Sequence, residues 1–172
     1  MRVFWAKGYV GTSYDDLVSG TGVSRKGLYT AFGDKRGLFL AALKTYRNVV
    51  VPELFCALDE SNITSDSIRQ MFRGYVEMAC SAAGQKGCFL VRTSADETIE
   101  DADVKAILDA HWEDLYQRFE RALSRAGYEA TKAERLAHFF VGVMQGLLTL
   151  AHARAGRERI KPFVEEALSA LE

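Results

Sequence analysis

Residues 12–35 read TSYDDLVSGTGVSRKGLYTAFGDK, and this stretch decides the fold. Thr12 or Ser13 is a natural N-cap, and Asp15 and Asp16 follow in a first turn, where carboxylates suit the helix dipole. Leu17 and Val18 are the apolar positions of that helix. Gly20-Thr21-Gly22 is expected to stop it, because glycine enters left-handed conformations without strain. Ser24 then caps a second helix, on which Leu28, Ala31 and Phe32 fall at i, i+3, i+4 and form one apolar face. Arg25, Lys26, Tyr29 and Thr30 fall elsewhere on the wheel. Gly33-Asp34 ends the second helix, and Lys35 opens the next.

Two short helices, a glycine turn and a second helix exposing Arg, Lys, Tyr and Thr make the pattern of a helix-turn-helix. Leu17, Val18, Val23, Leu28 and Phe32 would lock the pair together. The exposed face of the second helix is then free for a groove of DNA. Arg25 and Lys26 at the helix start, with Tyr29 and Thr30 one turn on, offer donors to base edges. Ser24, Thr12, Ser13 and Lys35 are placed for phosphates, and Gly27 leaves room for close backbone approach. The plainer alternative is a solvated helix face.

The residues KGYVGTSYDDLVSGTGVSRKGLYTAFGDKRGLF also resemble the DNA-binding signature of the tetracycline-repressor (TetR) family. The shared features are Gly8-Tyr9, Thr12-Ser13, Gly22-Val23-Ser24, Leu28-Tyr29 with Phe32, and Lys35. The resemblance covers Phe4 to Tyr46; beyond it, only helical layout and length match. The family's first helix is longer and is often preceded by a basic arm, whereas this sequence opens at MRVFWAK, with Val3, Phe4 and Trp5 left to brace the head.

Composition agrees with a helical regulator. The chain has 172 residues, with 48% apolar and 26% charged, ordinary for a globular protein. Two prolines permit long helices. Few Val-Ile-Thr alternations appear, so strands are not expected. The net charge of −1 is unevenly spread: residues 1–47 hold eight Lys/Arg against three Asp/Glu, and the remainder fourteen against twenty. A basic segment on an acidic body fits a module that meets phosphates. Cys56, Cys80 and Cys88 are odd in number and lack metal spacing, which argues for a reducing cytoplasm. His111, His138 and His152 show no ligand spacing, so no metal site and no cofactor are expected. No apolar run has the length of a membrane span, and no signal peptide is visible. Gly20-Thr21-Gly22 lacks the strand and glycine interval of a phosphate loop. No nucleophile elbow or paired-histidine zinc helix appears, so the chain is not expected to be an enzyme.

The expected fold is all-α with about nine helices: a head over residues 1–47 and a body over 48–172. Lys35 to Leu58 reads as one helix that Pro52 breaks or kinks near Val50-Val51. Asp59 to Asp66 reads as a polar linker. Helices are then expected over Ser67–Ala83, Cys88–Thr98, Asp101–Ala126, Thr131–Ala155 and Ile160–Leu171. Thr131 with Glu134 suggests a capping box, and Pro162 a first-turn position.

Two further groups matter. Gly142 and Gly146, four residues apart, leave a groove on an apolar helix also holding Phe140, Val143, Leu147 and Leu150. The family resemblance implies that the last two long helices form a homodimer; internal packing is the alternative. An aromatic and methionine set comprises Met71, Tyr75, Met78, Phe89, Trp112, Tyr116, Phe119, Phe139 and Met144. The resemblance implies that the body encloses a cavity for an unidentified small-molecule effector, which these residues would line. Such a stripe also reads as plain core. Cys88, beside Lys86 and a helix start, reads either as a reactive thiol or as a small buried apolar residue. The resemblance therefore implies a homodimeric, ligand-responsive repressor on a palindromic operator. A rival is a helical small-molecule-binding protein or enzyme with a vestigial head, and a third reading is a dimerisation scaffold.

Overall fold

The computed structural model describes residues 1–81 and 84–172, and among them every regular element is helical. Nine helices follow in order: α1 Arg2–Lys7, α2 Tyr14–Thr21, α3 Arg25–Phe32, α4 starting over Lys35–Thr45, α5 Ser65–Ala79, α6 Phe89–Ser94, α7 Ala102–Arg125, α8 Ala130–His152 and α9 Arg157–Leu168. Short 3₁₀ turns join several of them.

The head folds as its caps dictate. The Ser13 hydroxyl accepts from the Asp16 amide, and the Asp16 carboxylate accepts from the Ser13 amide. This reciprocal cap starts α2. The helix runs through Gly20 to Thr21, so the stop falls at the last residue of the expected Gly20-Thr21-Gly22 stretch. Only Gly22 turns left-handed, with φ 70°. Thr21 survives inside because its hydroxyl donates to the Leu17 carbonyl at 2.7 Å. Ser24 caps α3 through the Gly27 amide, and Asp34 caps α4 through the Gly37 amide at 2.7 Å.

After Thr45 the backbone of α4 widens into a π turn, Tyr46–Val50, and continues as Val51–Leu54. Pro52 therefore does not break the helix, as the sequence suggested. The amide of Val51 reaches back to the Tyr46 carbonyl. Pro52 has no amide to offer Asn48, and the shift in hydrogen-bond step accommodates that missing donor. The segment expected as a linker, Asp59 to Asp66, is also anchored: Ile63 is buried, and Ser65 and Asp66 lie within α5.

Five other boundaries differ from expectation. Helix α5 already ends at Ala79, and the expected extension through Ala82 and Ala83 falls outside the described residues. Helix α6 stops at Ser94, because the Asp96 carboxylate takes the Thr98 amide and starts a separate 3₁₀ turn, Glu97–Glu100. Glu129, not Thr131, caps α8, accepting from the amides of Thr131 and Lys132. That helix ends at His152. Gly156, with φ 80°, starts α9 three residues before Ile160, so Pro162 lies inside the helix rather than in its first turn.

Helices α7 and α8 pair along their length, flanked by α5 and α9. Phe72, Phe119 and Phe140 stack at their centre with ring centroids 5.2–6.3 Å apart. A second aromatic cluster joins head to body. Phe39 meets Phe4 at 5.1 Å and Phe89 at 5.9 Å, and Tyr46 meets Trp5 at 5.1 Å. Each such pair is worth roughly 0.5–1.5 kcal/mol beyond its buried area.

Candidate DNA-binding head and enclosed cavity

Helix α3 presents the surface of the head. Leu28 is buried against the rest of the head, while Arg25, Lys26, Tyr29 and Thr30 are exposed. Tyr29 stacks on Tyr14 with ring centroids 5.1 Å apart. The Arg25 guanidinium lies over the Tyr14 ring at 4.4 Å. The close approach of the two phenols raises the Tyr14 pKa and lowers that of Tyr29, and Arg25 adds to the second shift. The three side chains thus form one ordered cationic-aromatic surface. Tyr14 was absent from the sequence-derived set; its position immediately after the Ser13 cap was the available signal.

The remaining head residues divide by placement. The Lys35 ammonium sits over the Tyr9 ring at 4.5 Å and is half-buried. Ser13 and Ser24 are exposed at helix starts, where backbone amides gather. The Thr30 hydroxyl donates to the Lys26 carbonyl at 2.9 Å and keeps its lone pairs for a partner. Thr12 does not reach the surface. It is 1% exposed, and its hydroxyl donates to the Gly8 carbonyl at 2.6 Å. At Gly27 an added Cβ would stand 2.9 Å from Val23 Cγ1, so the missing side chain seats Val23 in the turn.

Behind the head lies a cavity of about 200 Å³. Trp5 of α1 and Tyr46 and Val50 of the widened turn form one side, and Tyr75, Met78, Trp112 and Met144 lie on the others. Of the nine residues named for a pocket, those last four line it. Phe89 belongs to the head–body cluster, and Phe119 is fully buried beside Phe72 and Phe140. Met71 borders a separate shallow groove, Tyr116 packs on His138, and Phe139 is exposed. Helical spacing shows which residues face inward, but not which side of a helix borders empty space. Trp5, Tyr46 and His111 were missed for that reason.

Ties cross from head to body around this cavity. The Trp5 indole donates to the Gly87 carbonyl at 3.1 Å, and Arg92 donates to the Trp5 carbonyl. Arg36 grips Asp101 and Asp103, and Arg47 pairs with Asp114. The Arg36 guanidinium holds the Asp101 carboxyl at about 2, well below the usual carboxylate range.

Comparison with known proteins agrees with this architecture. The family model for bacterial regulatory proteins of the tetR family matches residues 1–42. A model for the C-terminal domain of LmrA/YxaF-like transcriptional regulators matches residues 64–165. The chain belongs to the TetR family of transcriptional regulators. It is 28% identical over 181 residues to an uncharacterized regulator of the helix-turn-helix type, YezE of Bacillus subtilis, covering all of this chain and 92% of that protein. It is 28% identical to the transcriptional repressor ComR of Escherichia coli, covering 93% of this chain and 79% of ComR. A solved structure of a cysteine mutant of the TetR-family regulator CifR, complexed with 26-bp double-strand operator DNA, superposes with a TM-score of 0.83. That pair is 31% identical, over 98% of this chain and 91% of the other.

Within this TetR-family chain, the residues named for a dimer interface fall on two sides of α8. Phe140, Val143 and Leu147 are buried inside their own subunit. Gly142 is exposed, and a Cβ there would meet nothing within 4 Å. Gly146 lies under Phe163 of α9, where an added Cβ would stand 3.2 Å from the ring, and Leu150 is half-buried. Phe139 and Phe163 are exposed large apolar side chains near this glycine face. Cys88 is buried, and burial pushes its thiol up, which opposes activation. Among the described residues no three metal-ligating side chains cluster, and no helix is long and apolar enough to cross a membrane.

Proposed function

We propose that this regulator is a ligand-responsive, cytoplasmic repressor that binds a palindromic operator as a homodimer. Its head would comprise residues 1–47 and its effector and dimerisation body residues 48–172. The observation that carries the reading is the composition of the cavity wall: Trp5 and Tyr46 come from the head's own helices, Trp112 and Met144 from the body. A molecule filling the space touches both. Through its differential affinity for two head positions, it weakens operator binding by the same factor. The likeness to a CifR structure complexed with operator DNA and to the repressor ComR supports the DNA partner. In a homodimer paired through the exposed glycine face of α8 with Phe139 and Phe163, two α3 helices would meet half-sites roughly 34–36 Å apart.

Fluorescence anisotropy with the DNA upstream of the gene, at two salt concentrations, tests this. Saturable binding that weakens steeply with salt and survives random competitor is the expected result. Arg25→Ala should reduce affinity roughly tenfold or more and relax sequence preference. The rival reading, a small-molecule-binding protein or enzyme with a vestigial head, predicts no sequence preference at any salt. The complete caps at Ser13, Ser24 and Asp34 weigh against a decayed head.

A further inference from the structure

The cavity carries one polar group with no counterpart. His111 of α7 lines it, is 2% exposed, and packs on Trp112 with ring centroids 4.5 Å apart. Its Nδ1 is buried without a hydrogen-bond partner among the described residues. Such an atom costs free energy until something meets it. Two neighbouring polar groups are already engaged: the Trp5 indole serves the Gly87 carbonyl, and the Tyr75 hydroxyl serves the Leu54 carbonyl. The Tyr46 hydroxyl lies beside the Cys88 thiol. Gln145 and the Trp112 indole, both half-buried, are the other polar groups on the wall.

Burial and the nearby Arg47 charge hold the His111 ring neutral, with a pKa near 4. Arg47 does not line the cavity and is paired with Asp114 through a terminal nitrogen, only its buried Nε lacking a partner, so the wall itself presents no cation to an anionic ligand. A carboxylate brought here would be buried without compensation. A hydroxyl meets either tautomer of a neutral imidazole, because it both donates and accepts. Size narrows the class further: a dry apolar cavity of about 150 Å³ accepts benzene, and this one is somewhat larger.

We propose that the cavity takes an uncharged, mainly apolar molecule the size of a substituted aromatic ring, whose single hydroxyl hydrogen-bonds His111. This rests on reading the cavity as the effector site of a repressor. The test uses the full chain, with para-cresol and para-xylene as shape-matched probes differing by one hydroxyl. Calorimetric titration should show para-cresol binding roughly tenfold more tightly, against the greater hydrophobicity of the xylene. In His111→Phe the preference should vanish or reverse while para-xylene still binds. Equal or tighter xylene binding to the unaltered chain, a preference that survives His111→Phe, or no binding of either at millimolar concentration overturns the proposal. The comparison on the unaltered chain decides even if the variant does not fold. Operator affinity is measured on the same samples. Intact operator binding without cresol binding sinks the ligand class alone, and cresol binding without operator binding sinks the repressor reading alone.

Discussion

Gly37 and Gly74 sit in helices of similar character, yet the same substitution should move stability in opposite directions. In a helix interior, Gly→Ala normally stabilises by about 1 kcal/mol. Gly74 is in the middle of α5, where an added Cβ meets nothing within 4 Å. Gly74→Ala should therefore gain about 1 kcal/mol. At Gly37 the added Cβ would stand 2.0 Å from the Phe32 carbonyl oxygen. Real Cβ atoms essentially never approach closer than 3.0 Å, so about 1 Å of movement is required. The oxygen belongs to the last residue of α3, and that corner is pinned on both sides. The Gly33 amide bonds the Tyr29 carbonyl at 2.8 Å, and the Asp34 carboxylate caps the Gly37 amide. Overpacking costs roughly 1–3 kcal/mol and loss of the cap about 1 more. Set against the propensity gain of about 1 kcal/mol, Gly37→Ala should therefore lose about 2 kcal/mol net. Thermal melts at one fixed protein concentration should show Tm falling by about 4–8 °C for Gly37→Ala and rising by about 2–4 °C for Gly74→Ala. Because α3 is displaced, operator affinity should also fall in the first variant and not in the second. A Gly37→Ala protein at least as stable as Gly74→Ala would refute the reasoning.

Three other outcomes follow from the same geometry. Lys35→Ala, which removes a charge held over Tyr9, should weaken binding to all DNA sequences alike and reduce the magnitude of the salt slope by about one in an anisotropy series. His111 has a folded pKa near 4, below its usual value, so the unfolded chain takes up its proton first on acidification. Its stabilising contribution is complete above about pH 6.5 and is lost as pH falls through 4, roughly 2–3 kcal/mol in all. Urea midpoints at pH 7.5 and 4.5 should converge in His111→Phe and remain apart in the unaltered chain. Gly142→Arg, on the open face of α8, should shift sedimentation toward monomer and weaken operator binding with helix content unchanged; a persisting dimer would place the interface elsewhere.

The head was legible because its information is local. Ser13, Ser24, Gly22 and Asp34 act on residues three or four positions away, and their spacing alone specifies caps and turns. Thr12 defeated this reasoning through the same spacing: its hydroxyl finds Gly8 four residues back and stays buried. The π turn at Tyr46–Val50 was hidden because Pro52 signals a missing donor without saying whether the helix stops or shifts its ladder. The cavity was least legible. Phe119 and Trp112 lie on one helix with similar apolar surroundings, yet one fills core and the other borders space. That difference is set by which other elements pack alongside, here α1 and the continuation of α4 at the cavity wall, which no single helix encodes.

The head–body contacts differ in how hard they are to break, and this indicates how a head would move. Phe39, Tyr46 and Phe89 are buried together, so separating them exposes apolar area and they act as the pivot. Arg36 with Asp101 and Asp103 is solvent-exposed, and exposed ion pairs contribute little to stability. Their geometry can still select a resting head position, since the guanidinium holds Asp101 through two hydrogen bonds of 2.5 and 2.8 Å. Arg36→Gln should leave Tm nearly unchanged yet lower operator affinity several-fold, because the head samples unproductive positions. Asp101→Asn keeps the oxygen that caps α7 and should do the same. If both act by releasing one contact, the double variant is no weaker than either single one. Additive losses, or a large drop in Tm with unchanged operator affinity, would show that Arg36 serves folding rather than head position.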